Sequence, residues 1–248
     1  VIEFFINVIY SHAKASKYTY IKHTFNTFKV PSILVKGVAT KGLPLVVNEA
    51  LWVTSITFVT QCYSSRGLAA VSALNINSSI TNVFNTFFLA MGSAVSIIVG
   101  QLLGKDQLEE AKSTTRKLIA FTFAVTIITG AMLALCSGIF PDFYNTEDVV
   151  KNLATDIILV NACFVPFQGI CHSAYFALRS GGKTWLTFLF DSGLQWVVYV
   201  PIAFCLSIFT TLPIVTVFAA ACMSDVIKCF VSVLFLSKSN WAQNIVKE

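Results

Sequence analysis

Four ionisable side chains stand deep inside long apolar stretches of the chain, Glu49, Asp191, Asp225 and Lys228, while Asp156 lies within a turn of its helix end, in reach of the interface. In a hydrocarbon interior each would cost on the order of 2.5–3.5 kcal/mol even on the gentle insertion scale, so each asks for a partner or a task. Glu49, beside Asn48 and Trp52, has no cation within a turn of sequence. It suits a carboxylate that takes up a proton, a sodium ion or a cationic substrate, or else a protonated acid bonded to a neighbouring helix. Asp191 admits the same two readings. Asp225 and Lys228 are three residues apart, share a helix face and can neutralise each other. That arrangement serves a structural pair and an ion relay equally, because desolvation offsets much of a buried pair's Coulomb gain.

A second pattern is neutral. Asn75, Ser78, Ser79, Asn82, Asn85 and Thr86 recur at helical spacing. A polar stripe of this kind can glue helices together or line a wet cleft, and its length favours the cleft.

Other motifs fail for chemical reasons. Gly182-Lys183-Thr184 imitates the end of a phosphate-binding loop, but Ala177 stands where the first glycine is needed and an apolar helical run precedes it instead of a strand. His12, His23 and His172 are isolated, with no HExxH, and His172 reads as a hydrogen-bonded residue within a span. Cys62, Cys136, Cys163, Cys171, Cys205, Cys222 and Cys229 are dispersed without a CxxC, which suits small apolar residues better than a disulfide or metal framework. No nucleophile elbow is present, so hydrolytic and nucleotide-driven chemistry has no support, and no cofactor is expected.

The elements that must position these groups follow from composition. Of the 248 residues, 56% are AVILMFWYC and 12% are charged, with a mean hydropathy of +0.74. Soluble domains run at about 25% charged, so an ordinary water-soluble domain, a disordered chain and a nucleic-acid binder are excluded. The apolar runs greatly exceed the ten or so residues of a barrel strand, which makes the chain an all-α polytopic membrane bundle. Six spans are expected over residues 43–63, 69–103, 118–140, 153–178, 185–209 and 212–236, with bends at Gly92, Pro166 and Pro201.

Orientation follows from Lys and Arg, which stay cytoplasmic. Fourteen cations fall in residues 11–41, 104–117, 179–184 and 238–248, against two, Arg66 and Lys151, in the alternate loops. Both ends of the six-span unit are therefore expected on the cytoplasmic side of the membrane. Residues 1–10 read as the cut end of a preceding helix, 11–41 as a basic linker, 42–237 as the six-helix lobe and 238–248 as a tail. Within the linker, Ile21, Phe25 and Phe28, then Ile33, Leu34 and Val38, suit two short interfacial helices broken at Pro31, or a solvated basic loop. Residues 104–117 read as a helical extension outside the membrane.

Three segments carry a family resemblance: KGLPLVVNE at 41–49, VSIIVGQLLGKDQLEEAK at 95–112 and LRSGGKTWLTFLFDS at 178–192. In order and spacing the chain, from Gly42 to Val246, resembles the carboxy-terminal half of a bacterial multidrug and toxic compound extrusion (MATE) transporter. The middle segment resembles the family's V-G-x-x-L-G-x-G-x-x-x-x-A pattern, with Gln101 at the usual Asn and Asp106 at the last Gly. The resemblance implies one lobe of a two-lobed antiporter exporting small organic cations or drugs, with protons or sodium as the coupling ion and an N-terminal lobe as partner. It implies a functional acid at Glu49, about one turn nearer the Gly-Leu-Pro start than in some members, as a proton or sodium site. Gln168 stands where sodium-coupled members carry an acid, which leaves the coupling ion open. Glu49, Asn75, Ser79, Asn82, Gln168, Asp191, Asp225 and Lys228 thus form the expected pathway. A lipid-linked saccharide flippase and a non-transporting scaffold subunit are the competing readings.

Overall fold

The structure, a computed structural model, describes residues 5, 6, 9, 10, 13, 31–238 and 241–243. His12, His23, the linker's first apolar group and Lys247 lie outside the described residues. The chain divides into two compact units, Val1–Gly42 and Leu43–Glu248. In the first unit the described residues from Ser32 onward are helical and mostly exposed.

Six long helices follow one another: α1 (Ser32–Ser64), α2 (Leu68–Gly104), α3 (Leu108–Cys136), α4 (Asp148–Ser180), α5 (Thr184–Phe209) and α6 (Ile214–Lys238). All six are long and apolar enough to cross a bilayer. Among the described residues no strand occurs, as expected where every backbone polar group must be satisfied within its own segment. Large apolar side chains point outward, with Leu68 86% and Leu135 77% exposed, as suits a lipid-facing surface. Helix α1 starts just after Pro31 and contains Pro44. The segment after Asp106 is helical from Leu108, as expected of the extension.

Helix α4 is the hub, packed against α2, α3 and α6. Small residues let the backbones close up: a Cβ on Gly130 of α3 would stand 2.8 Å from the Ala162 carbonyl oxygen of α4. Gly169 of α4 is likewise set against Thr126 of α3. This is how membrane helices associate when lipid removes the hydrophobic drive between them.

The ends of α2 and α4 share one device. Lys183 N–H donates to Leu178 O and Gly182 N–H to Arg179 O, while Gln107 N–H donates to Leu102 O and Asp106 N–H to Leu103 O. These are paired Schellman bonds, which need a left-handed residue. Gly182 supplies it at φ 75° and Asp106 at φ 65°.

Of the expected bends, Gly92 and Pro166 lie within uninterrupted helix. Helix α5 is the irregular one. Its first turn, Thr184–Phe188, gives way to π-helical turns at Leu189–Gly193 and Gln195–Tyr199 before α-helix resumes at Val200–Phe209. Pro201 offers no N–H and crowds the carbonyl four residues back, so the ladder loosens on its N-terminal side.

Candidate functional site

The π-helical stretch of α5 carries the residues around which a polar network assembles. Asp191 lies in the first π turn and Gln195 and Trp196 in the second. Such turns are rare in ordinary helices and frequent at functional sites.

Asn48 of α1 is clamped onto this stretch. Its Nδ2 donates to Asp191 Oδ2 at 2.9 Å, and the Ser192 hydroxyl stands 2.6 Å from Asn48 Oδ1 and 2.9 Å from Asn48 O. One turn on, Trp196 Nε1 donates to Leu51 O at 3.0 Å. From the other side Lys228 of α6 reaches in, donating to Gln195 Oε1 at 2.5 Å with its ammonium 3.9 Å from Asp191 Oδ1. The two carboxylate oxygens of Asp191 thus face α1 and α6 respectively. Asn48, Ser192, Gln195 and Lys228 are all buried, so these polar groups have given up water for one another.

The expected pairing of Asp225 with Lys228 is corrected. The carboxylate partner of Lys228 is Asp191 on α5, and Asp225 instead accepts from Gln168 Nε2 of α4 at 2.9 Å. Sharing a helix face brings two side chains near one another but does not aim them at one another. Each here has its direct partner on a facing helix, with Lys228 still within electrostatic reach of Asp225.

Glu49 follows Asn48 directly yet points elsewhere. It is exposed and, among the described residues, makes no hydrogen bond or ion pair; Asp191 and Arg179 lie within its electrostatic reach. The stripe on α2 stays apart from the network. Asn75, Ser78, Ser79, Asn82 and Thr86 are exposed and Asn85 is half-buried, with the Ser79 and Thr86 hydroxyls turned back onto their own helix at Asn75 O and Asn82 O. Their neighbour Asn77 faces inward, where its Oδ1 and the Thr81 hydroxyl accept from Asn161 Nδ2 of α4 at 3.3 and 2.8 Å.

His172 departs from expectation. It lies face to face with Phe88, ring centroids 5.7 Å apart and planes within 5°, and no hydrogen bond holds it among the described residues. Among those residues no group of three or more His, Cys, Asp and Glu is placed to hold a metal ion.

Sequence reasoning singled out Asp191 and Lys228 separately and missed Ser192 and Gln195. Gln195 was within reach, since it stands four residues from Asp191. Ser192 was not, because nothing in the sequence signals a π-helical turn. The arrangement offers cation-binding and proton-bearing groups, Glu49, Asp191 and Asp225, with Lys228 as an internal counter-charge.

Comparison with known proteins gives consistent matches. The family model MatE matches residues 44–204. The chain is 26% identical over 143 residues to "Probable multidrug resistance protein NorM" of Photorhabdus laumondii, covering 57% of this chain and 31% of that protein. It is 27% identical over 176 residues to "Multidrug resistance protein MdtK" of Proteus mirabilis, covering 67% and 36%. Its fold matches a crystal structure of the Vibrio cholerae MATE transporter VcmN in the bent form with a TM-score of 0.83 at 16% identity, covering 96% of this chain and 53% of that one. The chain spans about a third of the length of these two curated relatives and about half of the solved transporter.

Proposed function

We propose, from the premise that the chain belongs to the MATE family, whose model matches more than half of it, that it is the C-terminal lobe of a secondary antiporter. In this reading the whole transporter exports small organic cations or drugs in exchange for protons or sodium. Curated relatives bear multidrug resistance names, which supports the substrate class.

The observation that carries the reading is Glu49: an exposed carboxylate without hydrogen bond or ion pair among the described residues, in an apolar helix, within reach of a second carboxylate at Asp191. Such a group is costly in a bilayer unless ions or substrates use it. Coupling needs the two states of the transporter to differ in affinity for ion and drug, and a carboxylate that holds either one but not both supplies that difference. The exposed polar stripe from Asn75 to Thr86 would then face the second lobe across a cavity, since lipid against it is unfavourable. Gln168, paired with Asp225, acts in the interior and not as an open ion ligand.

A saccharide flippase would call for several cations free to meet a pyrophosphate. Lys228 is already held by Asp191 and Gln195, which weighs against that reading. The cation count further supports a cytoplasmic placement for Lys36 and for the tail at Lys247, with reporter fusions at both as the check; the bacterial relatives make the plasma membrane the expected compartment.

The deciding experiment is Glu49→Gln in the full-length transporter, reconstituted in liposomes under an imposed proton or sodium gradient. Normal insertion with loss of gradient-driven efflux of a fluorescent organic cation is expected. Undiminished efflux with unchanged pH dependence would make Glu49 structural.

A further inference from the structure

Cys171 of α4 and Cys229 of α6 take no part in the polar network, yet they meet at one turn of α6. The Cys171 thiol donates to Asp225 O at 3.7 Å. In an α-helix that carbonyl receives the N–H of the residue four further on, which is Cys229. The Cys171 sulfur therefore lies at the turn from which Cys229 projects. Both cysteines are unoxidised and half-buried. One turn earlier, Gln168 holds Asp225 Oδ2. Helices α4 and α6 thus meet on two successive rungs, Gln168 at the Asp225 carboxylate and Cys171 at the Asp225 carbonyl, on the turn that carries Cys229.

We infer that Cys171 and Cys229 are an oxidisable dithiol, whose disulfide pins α4 to α6 beside Asp225. The oxidant class is a hydroperoxide. One sulfur attacks a peroxide oxygen, the O–O bond breaks, and a sulfenic acid and one water form from hydrogen peroxide. The second sulfur then attacks the sulfenic sulfur, the S–S bond forms and a second water leaves. In sum two thiols and one peroxide give one disulfide and two waters, with two electrons passing from sulfur to oxygen. Access favours this direction. Hydrogen peroxide is small and uncharged and reaches a half-buried site among apolar helices, whereas a charged thiol reductant must shed its hydration to follow. The link therefore outlasts the oxidant.

The test uses the full-length transporter in liposomes. After peroxide treatment free thiols are capped with N-ethylmaleimide, and the digested protein is examined by mass spectrometry. The expected product is a Cys171–Cys229 linked peptide pair, lost on reduction with dithiothreitol and absent in Cys171→Ser and in Cys229→Ala. Exposed Cys163 and Cys205 give the reference for peroxide dose. If both of these are oxidised while Cys171 and Cys229 are still capped after denaturation, the inference is overturned; since this is read on the unsubstituted protein, misfolding of a variant cannot obscure it. Efflux should fall several-fold on linking and recover with dithiothreitol, an arm that rests on the proposed transport function. A link that forms without changing efflux would leave the dithiol standing and remove its control of transport.

Discussion

Lys228 passes over Asp225, one turn away on its own helix, and closes on α5, where its ammonium stands 3.9 Å from Asp191 Oδ1. With an effective dielectric of about 20, a pair at that distance gains roughly 4 kcal/mol of Coulomb energy, most of it offset by desolvation. What remains is geometric. Asp191 bonds α1 through Asn48 and faces α6 through Lys228, so three helices are indexed on one carboxylate.

Removing one member of that pair strands the other. Asp191 keeps about a quarter of its side chain exposed, 27%, so the cost falls at the low end of the range for buried pairs. Lys228→Gln should lower stability by about 3 kcal/mol, and Asp191→Asn together with Lys228→Gln should recover most of the loss. Asp225→Asn combined with Lys228→Gln should not. Thermal melting of the detergent-solubilised protein distinguishes the two: rescue by the Asp225 substitution would restore the same-helix pairing.

Much of this was legible before any coordinates. Span number follows from hydrocarbon thickness, and the reading of Asp191 and Lys228 as groups needing partners follows from their cost in lipid. The identity of the partners was not legible, because the choice between Asp191 and Asp225 depends on how α5 is wound. Pro201 announces an irregularity, yet the π turns lie upstream of it, where the sequence from Leu189 to Tyr199, for all its Asp191, Ser192, Gly193 and Gln195, carries no signal for π winding. The polar residues from Asn75 to Thr86 are exposed or half-buried, while Asn77, in their midst, turns inward and is distinguished only by its contact with Asn161.

Asp106 occupies a left-handed position that its counterpart at the end of α4, Gly182, fills without a side chain. Left-handed backbone costs a non-glycine residue roughly 1–2 kcal/mol, and less for Asp than for most. Asp106→Gly should therefore raise the melting temperature by a modest amount. Gly182→Ala should lower it, since alanine has no polar side chain to ease that conformation. A fall in stability with Asp106→Gly would show that the carboxylate contributes more than its backbone strain costs.

Arg66, in the turn between α1 and α2, ties that turn to the end of α5. Its guanidinium donates to Leu206 O at 2.7 Å and also to Thr210 O. Both carbonyls lie at the helix end, where the dipole favours a cation, and Leu206 O also accepts from the Thr210 hydroxyl at 2.6 Å. Arg66→Gln should cost about 1 kcal/mol, since both acceptors are half-buried and Leu206 O keeps the Thr210 hydroxyl. Arg66→Lys keeps the charge but loses the planar fork, so its melting temperature should fall between the other two. Equal melting of all three proteins would show that water satisfies these carbonyls.

Trp241, after the end of α6, is 2% exposed and packs among Val99, Leu103, Leu178 and Phe190, with its indole Nε1 donating to Leu236 O at 3.1 Å. The side chain thereby joins the ends of α2 and α4 to the start of α5. Gly181 makes this possible, since a Cβ there would collide with the Trp241 carbonyl oxygen, a backbone atom that cannot swing aside. Gly181→Ala should displace the segment without touching the polar network, and Trp241→Ala should do the same by removing the anchor. The readout is a cysteine placed at Ala242, itself 2% exposed, in a background lacking the native cysteines. A water-soluble maleimide should label it slowly in the parent and many-fold faster in Gly181→Ala. If labelling is equally slow in both, the segment tolerates the added methyl by moving as a unit with the turn between α4 and α5, and Gly181 is not what seats Trp241.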